Sequence, residues 1–378
     1  MTRLLFIYPL LDSQDQVFRY VQTARRLFNE KVAVQILTIG KKRRAPIELQ
    51  GIPLQHIEVD LDGLRGLWQF TVQRKIWRTL KELSSSNFTI FMNGLDLPIV
   101  FWASKRLQIP LIAQFPENQC YSNIYKKLLG QLGKSLQICL LYGSQVHADS
   151  CRIEGFDQHV ISMPLQPELV ESARQFRASG LKPGAQPFSV LIACRSASLA
   201  IIQKIQFLVH QCKGLHFHCW FFQADHLQKA LHVFDDHPNV DCVYTRQGTP
   251  LYKSSHLYIE LEEPQFIESH LPHLHYIREA MEFGLPAMLF QQGLGQEWVK
   301  QGVNGYLLES GQLREMISKV KLLAHSRLLY DRLSYNAVKI AQQWHPPNTC
   351  KALANLFLGG KMKCTYKTGL KPADNPTT

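Results

Sequence analysis

Short apolar runs alternate with amphipathic stretches along nearly the whole chain. Five runs in the first half, RLLFIYPL (3–10), VAVQILTIG (32–40), NFTIFMNG (87–94), PLIAQFPEN (110–118) and LQICLLYGS (136–144), each end in polar or glycine residues. Continuous apolar runs of this length suit strands covered on both faces. Between them, VFRYVQTARRLFNE (17–30) and GLWQFTVQRKIWRTLKEL (66–83) repeat their apolar positions with helical period. Strands separated by helices predict parallel βαβ units and a doubly wound α/β sheet. LKPGAQP (181–187), rich in proline and glycine, interrupts the alternation and reads as a linker. The pattern then restarts with FSVLIACRS (188–196), a helix over about 199–211, LHFHCWFFQ (215–223), NVDCVYT (239–245), LYIELEE (257–263) and PAMLF (286–290). The expected organisation is one α/β domain over 1–180, a second over 181–358, and a basic tail without periodicity over 359–378. Open α/β sheets bind ligands beyond the carboxyl ends of their strands, so the cleft between the two domains is the expected site.

Composition narrows the class without naming a function. With 46% hydrophobic and 19% charged residues, the chain has ample material for a globular core and is not of disordered type. No stretch approaches the ~18 uninterrupted apolar residues of a spanning helix. The opening MTRLLFIYPLLDSQDQ lacks a long apolar run followed by a small-residue cleavage site, and reads as a first buried strand. Nine cysteines form no Cys-x-x-Cys pair, which points to free thiols in a reducing cytoplasm rather than a zinc site or a disulfide framework. The formal charge of +12 suits an anionic partner: a membrane surface, a nucleic acid or a phosphorylated small molecule.

The most informative run is REAMEFGLPAMLFQQGLGQEWVKQGVNGYLL (278–308). A glutamate on a helix is followed by a Gly-Leu-Pro turn, a short strand, a glycine loop and a second acidic and glycine-containing turn. Glu279, Ala280, Met281, Gly284, Leu285, Pro286, Gly293, Glu297, Gly302, Asn304 and Gly305 together resemble the donor-binding part of GT-B-fold glycosyltransferases. The likeness is to the large retaining family with an EAMACGLP-like signature. ICLLYGSQVHADSCRIEGF, HPNVDCVYT and AQQWHPPNTCKALANLF extend it more weakly over the rest of the chain. The resemblance implies two Rossmann-like domains, an acceptor-side one and a nucleotide-sugar-binding one. It also implies hexosyl transfer with retention, needing no metal or other cofactor, onto a glycan, a lipid-linked or a protein acceptor.

Site residues follow from the same match. Glu279 corresponds to the carboxylate that accepts hydrogen bonds from the donor ribose, and Arg195 to the arginine that binds the diphosphate. Glu268, with the adjacent Ser269 and His270, is expected at the sugar, and Gly284 and Gly293 at the close backbone approach to the donor. Glu117, at the end of an N-terminal-domain strand, is the acceptor-side candidate. The chain also departs from the pattern. Leu271 stands where members carry a glutamate eight positions before Glu279, and IAQFPEN lacks their histidine. The lysine expected about five residues after Arg195 is missing, the next being Lys204. These departures support a second reading, a catalytically silent GT-B protein acting as partner or chaperone of a glycosylation complex. A nucleotide-sugar epimerase, which shares the architecture, is a third.

Two further features carry candidate chemistry. His270, His273 and His275 fall within six residues, but no cysteine or spaced carboxylate completes a metal shell, so a loop or helix surface is the simpler reading. The segment 64–83 interleaves Arg65, Arg74, Lys75, Arg78 and Lys81 with Trp68, Phe70 and Trp77. It suits either a domain helix with Leu67, Val72, Ile76 and Leu80 inward or docking on the anionic inner face of a membrane. With KKRR (41–44) it shows none of the aromatic and glycine patterns of a nucleic-acid module.

Overall fold

The computed structural model describes residues 2–9, 32–40, 54–58, 68–83, 88–93, 98–114, 138–142, 148–149, 153, 157–162, 165–179, 187–245, 247–262, 275–290, 295–345, 347–349, 351–352 and 356. The first half builds one seven-stranded sheet from β1 (Thr2–Pro9), β2 (Val32–Gly40), β3 (Leu54–Glu58), β4 (Phe88–Asn93), β5 (Leu111–Gln114), β6 (Ile138–Tyr142) and β7 (Asp157–Val160). Its spatial order is β3-β2-β1-β4-β5-β6-β7, and every pairing is parallel. The five apolar runs supply its five inner strands. The edges β3 (LQHIE) and β7 (DQHV) are short and polar, which is why no apolar pattern announced them. Charged, brief edge strands discourage pairing with a foreign strand. Two helices, α1 (Trp68–Leu83) and α2 (Pro98–Leu107), are described on this domain.

The second sheet has six parallel strands in the order β10-β9-β8-β11-β12-β13. They are β8 (Ser189–Cys194), β9 (His216–Phe221), β10 (Val240–Tyr244), β11 (Leu257–Glu260), β12 (Ala287–Phe290) and β13 (Gly305–Leu308). The connecting helices are α4 (Leu199–Gln211), α5 (Ala224–Phe234), α6 (Thr249–Ser254), α7 (His275–Glu282), α8 (Gly295–Trp298), α9 (Leu313–His325) and α10 (Arg327–Ala341), followed by a 3-10 turn over Gln342–Trp344. Helix α3 (Pro167–Ala178) precedes the sheet.

Alternation along the central strand β8 explains the layering. Val190, Ile192 and Cys194 pack with Ile205, Leu208 and Val320 of α4 and α9 on one face. Leu191 and Ala193 pack on the other with Tyr252, Ile277, Met281 and Ala337 of α6, α7 and α10. β8 is buried along its full length, the condition under which a strand reads as an unbroken apolar run. Leu169, Val170 and Ala173 of α3 belong to this second cluster, so a helix lying before the Pro/Gly-rich segment contributes to the core of the sheet that follows it. Among the described residues no helix is long and apolar enough to cross a membrane.

Gly284 makes a tight turn at the end of α7. It adopts φ +86°, its N–H bonds to Met281 O, and Leu285 N–H bonds back to Ala280 O. These two bonds cap the end of α7 in the manner of a Schellman motif and aim the chain into β12. A Cβ at this position would lie 2.9 Å from Ser334 Oγ of α10. Gly284→Ala is therefore expected to lower stability by about 1–2 kcal/mol, the cost of holding an L-residue in the left-handed region. A urea-unfolding midpoint equal to wild type would show that the turn relaxes without cost.

Candidate functional site

Chain order reverses between β8 and β11: β8, β9 and β10 run outward on one side, β11, β12 and β13 on the other. Such a switch point opens a crevice at the carboxyl ends of the two strands. Arg195 follows β8 there, and Glu260 and Glu262 stand at the end of β11. Arg195 donates from Nη2 to Glu260 Oε2 at 2.7 Å, and its Nε lies 3.8 Å from Glu262 Oε2. Tyr258 O–H donates to the other Glu260 oxygen at 2.7 Å. The Ser196 N–H donates to Glu262 Oε1 at 2.6 Å. One buried cation thus serves two buried carboxylates.

The charges in this cluster lean on each other. Burial works hardest against the Arg195 charge, but Glu260, Tyr258 and Glu262 outweigh it and hold the guanidinium firmly protonated. Burial pushes the Glu262 carboxyl above its ordinary range, with Arg195 and the Ser196 N–H opposing the rise. Tyr258 is pushed far up, first by burial and then by Glu260, so its hydroxyl remains a donor. Arg195 Nη1 is buried and makes no hydrogen bond. A buried guanidinium nitrogen without an acceptor is costly, and an anionic oxygen is the group that would satisfy it.

A second cation reaches the same edge. Lys204, on α4, places Nζ 3.4 Å from Leu261 O and 5.3 Å from the centre of the Phe290 ring. Leu261 lies between the two acids of the cluster, and Phe290 ends β12. Spacing alone set this lysine too far from Arg195. Helix α4 packs on the sheet, and the lysine stem carries the ammonium to the Leu261 carbonyl.

Glu279 lies on α7 and is 4% exposed. Its Oε2 accepts from Tyr252 O–H at 3.2 Å, and Oε1 is 4.0 Å from His275 Nε2. Burial, followed by Glu279, pushes the Tyr252 phenol well up, keeping it a donor to that carboxylate. Above it Tyr276 stacks on Phe222, with ring centroids 5.0 Å apart and planes 7° from parallel, and both rings lean on Trp220. Glu282, one turn further along α7, is fully buried and was not anticipated. It accepts from Arg177 Nη2 at 3.1 Å and meets His345 Nε2 at 2.7 Å, and its carbonyl accepts from Arg177 Nη1. Nothing in the EAM signature separates its role from that of an exposed helical glutamate.

Several signature residues prove to shape the backbone. Asn304 is completely buried, accepts from Lys300 N–H at 2.7 Å and donates to Trp298 O at 2.9 Å, closing the turn before β13. Gly305 approaches β12 so closely that a Cβ would fall 1.9 Å from Ala287 O. Gly284 caps α7 as described above. Of the other expected site residues, Glu117, Glu268, Ser269, His270 and Gly293 lie outside the described residues. On α1, Ile76 and Leu80 are buried and Arg74, Lys75, Arg78 and Lys81 are exposed, while Trp77 packs 4.7 Å from Trp102 of α2.

No protein-family model matches the chain, and no curated protein does. Solved structures do. A glycosyltransferase from Rickettsia africae ESF-5 superposes with a TM-score of 0.72 at 12% identity, over 95% of this chain and 99% of that one. Anabaena HepE in complex with UDP superposes with a TM-score of 0.69 at 15% identity, over 94% of this chain and 99% of that one. The lipopolysaccharide outer core galactosyltransferase WaaB superposes with a TM-score of 0.66 at 12% identity, over 93% and 98%. At such identities the likeness is one of fold, and it extends across nearly the full length of both partners. The chain thus has the fold that its sequence led us to expect, two Rossmann-like parallel-sheet domains of GT-B type.

Proposed function

We propose that the chain is a glycosyltransferase that moves a hexose from a nucleotide-sugar donor to a glycan, glycolipid or glycoprotein acceptor, with retention and without a metal in the transfer step. The observation that carries this reading is Arg195 at the switch point of the second sheet, a buried guanidinium whose Nη1 makes no hydrogen bond, with Lys204 of α4 reaching the main chain just after β11. In the transfer, the bond from the anomeric carbon to the diphosphate breaks as a bond to the acceptor oxygen forms. The departing nucleoside diphosphate gains charge, which fixed cations stabilise without reorganising. Arg195 Nη1 and Lys204 Nζ are suited to that task. HepE has been solved with UDP and with UDP-glucose, which makes uridine donors the first to try.

Calorimetry with UDP, GDP, ADP and their common sugar conjugates, followed by a donor-hydrolysis assay, tests the proposal. We expect one nucleotide class to bind and its sugar conjugate to turn over slowly. Absence of binding to every nucleotide would overturn it. Within the same reading, Glu279 accepts the donor ribose hydroxyls on the helix face that Tyr252 already fixes. Glu279→Gln keeps the shape and removes the charge. It should weaken nucleotide affinity by about 10- to 100-fold, the worth of charge-assisted bonds of roughly 1.5–3 kcal/mol. Equal affinity in mutant and wild type would remove Glu279 from the donor site.

One observation favours the silent-partner reading instead. Arg195 already faces two carboxylates, which offsets the charge it can offer a diphosphate. Nucleotide binding without any turnover, across a range of donors and acceptors, would select that alternative.

A further inference from the structure

Two histidines and an aspartate meet at the opposite end of the second sheet from the Arg195 cluster. His216 opens β9 and lies level with Ser189, the first residue of β8, whereas Arg195 follows the last residue of that strand. His216 and His218 are two residues apart on one strand, so both side chains stand on the same face. β10 pairs with β9 in a register that sets Asp241 opposite His218. Asp241 Oδ2 lies 2.8 Å from His216 Nε2 and 3.3 Å from His218 Nδ1. The two imidazole centroids are 4.7 Å apart. Among the described residues, this is the one group of three or more His, Cys, Asp or Glu side chains whose donor atoms all fall within 4.8 Å of one another.

That spacing is close to what a tetrahedral ion demands. Bonds of about 2.0–2.1 Å from zinc to imidazole nitrogen and carboxylate oxygen set neighbouring donors roughly 3.3 Å apart. Small side-chain rotations bring the three donors to it. The strands themselves hold the positions, since neither the i, i+2 step nor the cross-strand register can drift. His218 is anchored further by a hydrogen bond with the main chain of Ser254, at the end of α6. A main-chain partner limits the rotation of a ligating imidazole. The Asp241 side chain is 55% exposed and that of His216 26%, so an ion and a water have a path in from solvent.

We propose that His216, His218 and Asp241 form a binding site for a divalent transition metal of the zinc class, with a fourth position taken by water. Two imidazoles with one carboxylate favour zinc, nickel or copper over magnesium or calcium, which prefer all-oxygen shells. The ion would fasten β10, an edge strand, to β9. It lies at the amino ends of these strands, away from the carboxyl ends where the donor chemistry is placed, so its role is to secure the sheet and not to assist the transfer. The site also differs from the sequence-evident run of His270, His273 and His275, and its ligands come together only when two strands pair.

The test uses full-length protein stripped with a chelator and desalted, then titrated with Zn²⁺ and, separately, with Mg²⁺. The expected result is one equivalent of Zn²⁺ bound in preference to Mg²⁺, with affinity reduced tenfold or more in each of His216→Gln, His218→Gln and Asp241→Asn. Zn²⁺ should also raise the urea midpoint of the wild type but not that of the variants. Nine cysteines offer rival ligands, so Co²⁺ is added in parallel. A visible d–d spectrum without a thiolate charge-transfer band fits the site. A thiolate band, no stoichiometric Zn²⁺, or affinity unchanged in the variants would overturn the proposal and leave a hydrogen-bonded His–Asp pair. Should His218→Gln fail to fold, the two more exposed positions carry the comparison.

Discussion

Replacing Arg195 by alanine is expected to cost both stability and turnover, the larger effects predicted for any single substitution here. Glu260 and Glu262 are each about nine-tenths buried, and Arg195 is the cation that faces them both. Removing one partner of a buried ion pair leaves an uncompensated charge, typically at about 3–5 kcal/mol. The sign of the pH dependence follows. The folded Glu262 carboxyl titrates above its unfolded value of 4.5, so its contribution favours the fold at acid pH and is lost as pH rises through the folded pKa. Without Arg195, Glu262 loses the charge that opposes this rise. The deficit of the variant should therefore be largest near neutrality and shrink as pH falls toward the carboxylate range. Urea midpoints between pH 5 and 8 measure it, and adding Glu260→Gln with Glu262→Gln should return most of the loss. An Arg195→Ala variant as stable as wild type at pH 7.5 would contradict the buried network. Under the glycosyltransferase reading, the same variant should turn over about 10²-fold more slowly, the usual loss on deleting a stabiliser of developing charge. The triple variant lets turnover be measured on folded protein.

Glu282→Ala should produce the next largest loss, about 3 kcal/mol. The carboxylate is inaccessible to water and joins Arg177, at the end of α3, to His345, just after the 3-10 turn. Its removal strands a guanidinium whose side chain is only 30% exposed and breaks the tie between three separate elements. The low end of the range for a broken buried pair applies, because Arg177 can turn partly to solvent. Glu282→Gln should lose less, since an amide oxygen still accepts from Arg177. Thermal and urea unfolding of the two variants side by side separate the charge from the shape. Equal stability of Glu282→Ala and wild type would show that α3 is held by apolar packing alone.

The inner strands and the two-sheet plan were legible in the chain because parallel strands buried on both faces are unbroken apolar runs. β1, β2, β4, β5, β6 and β8 each announce themselves in that way. The edges β3 and β7 did not, since a strand with one partner and a solvated rim needs no such run. Gly284 and Asn304 were legible as parts of a signature, but their work is in the turns they close, and only dihedral angles and hydrogen bonds assign it. Lys204 was set aside on linear spacing, and only the folded chain shows its ammonium at the Leu261 carbonyl just after β11. Glu260 and Glu262, two residues apart at the end of LYIELEE, carried a readable signal, alternate acids ending an apolar strand. What they bind depends on which strand lies beside β11. That neighbour is β8, more than sixty positions earlier in the chain, and His216, His218 and Asp241 are likewise joined by the pairing of β9 with β10. Local pattern settles which residues are strand and helix, because burial period is a local property. Which charges meet is a property of strand order, and the chain reveals that only when it is folded.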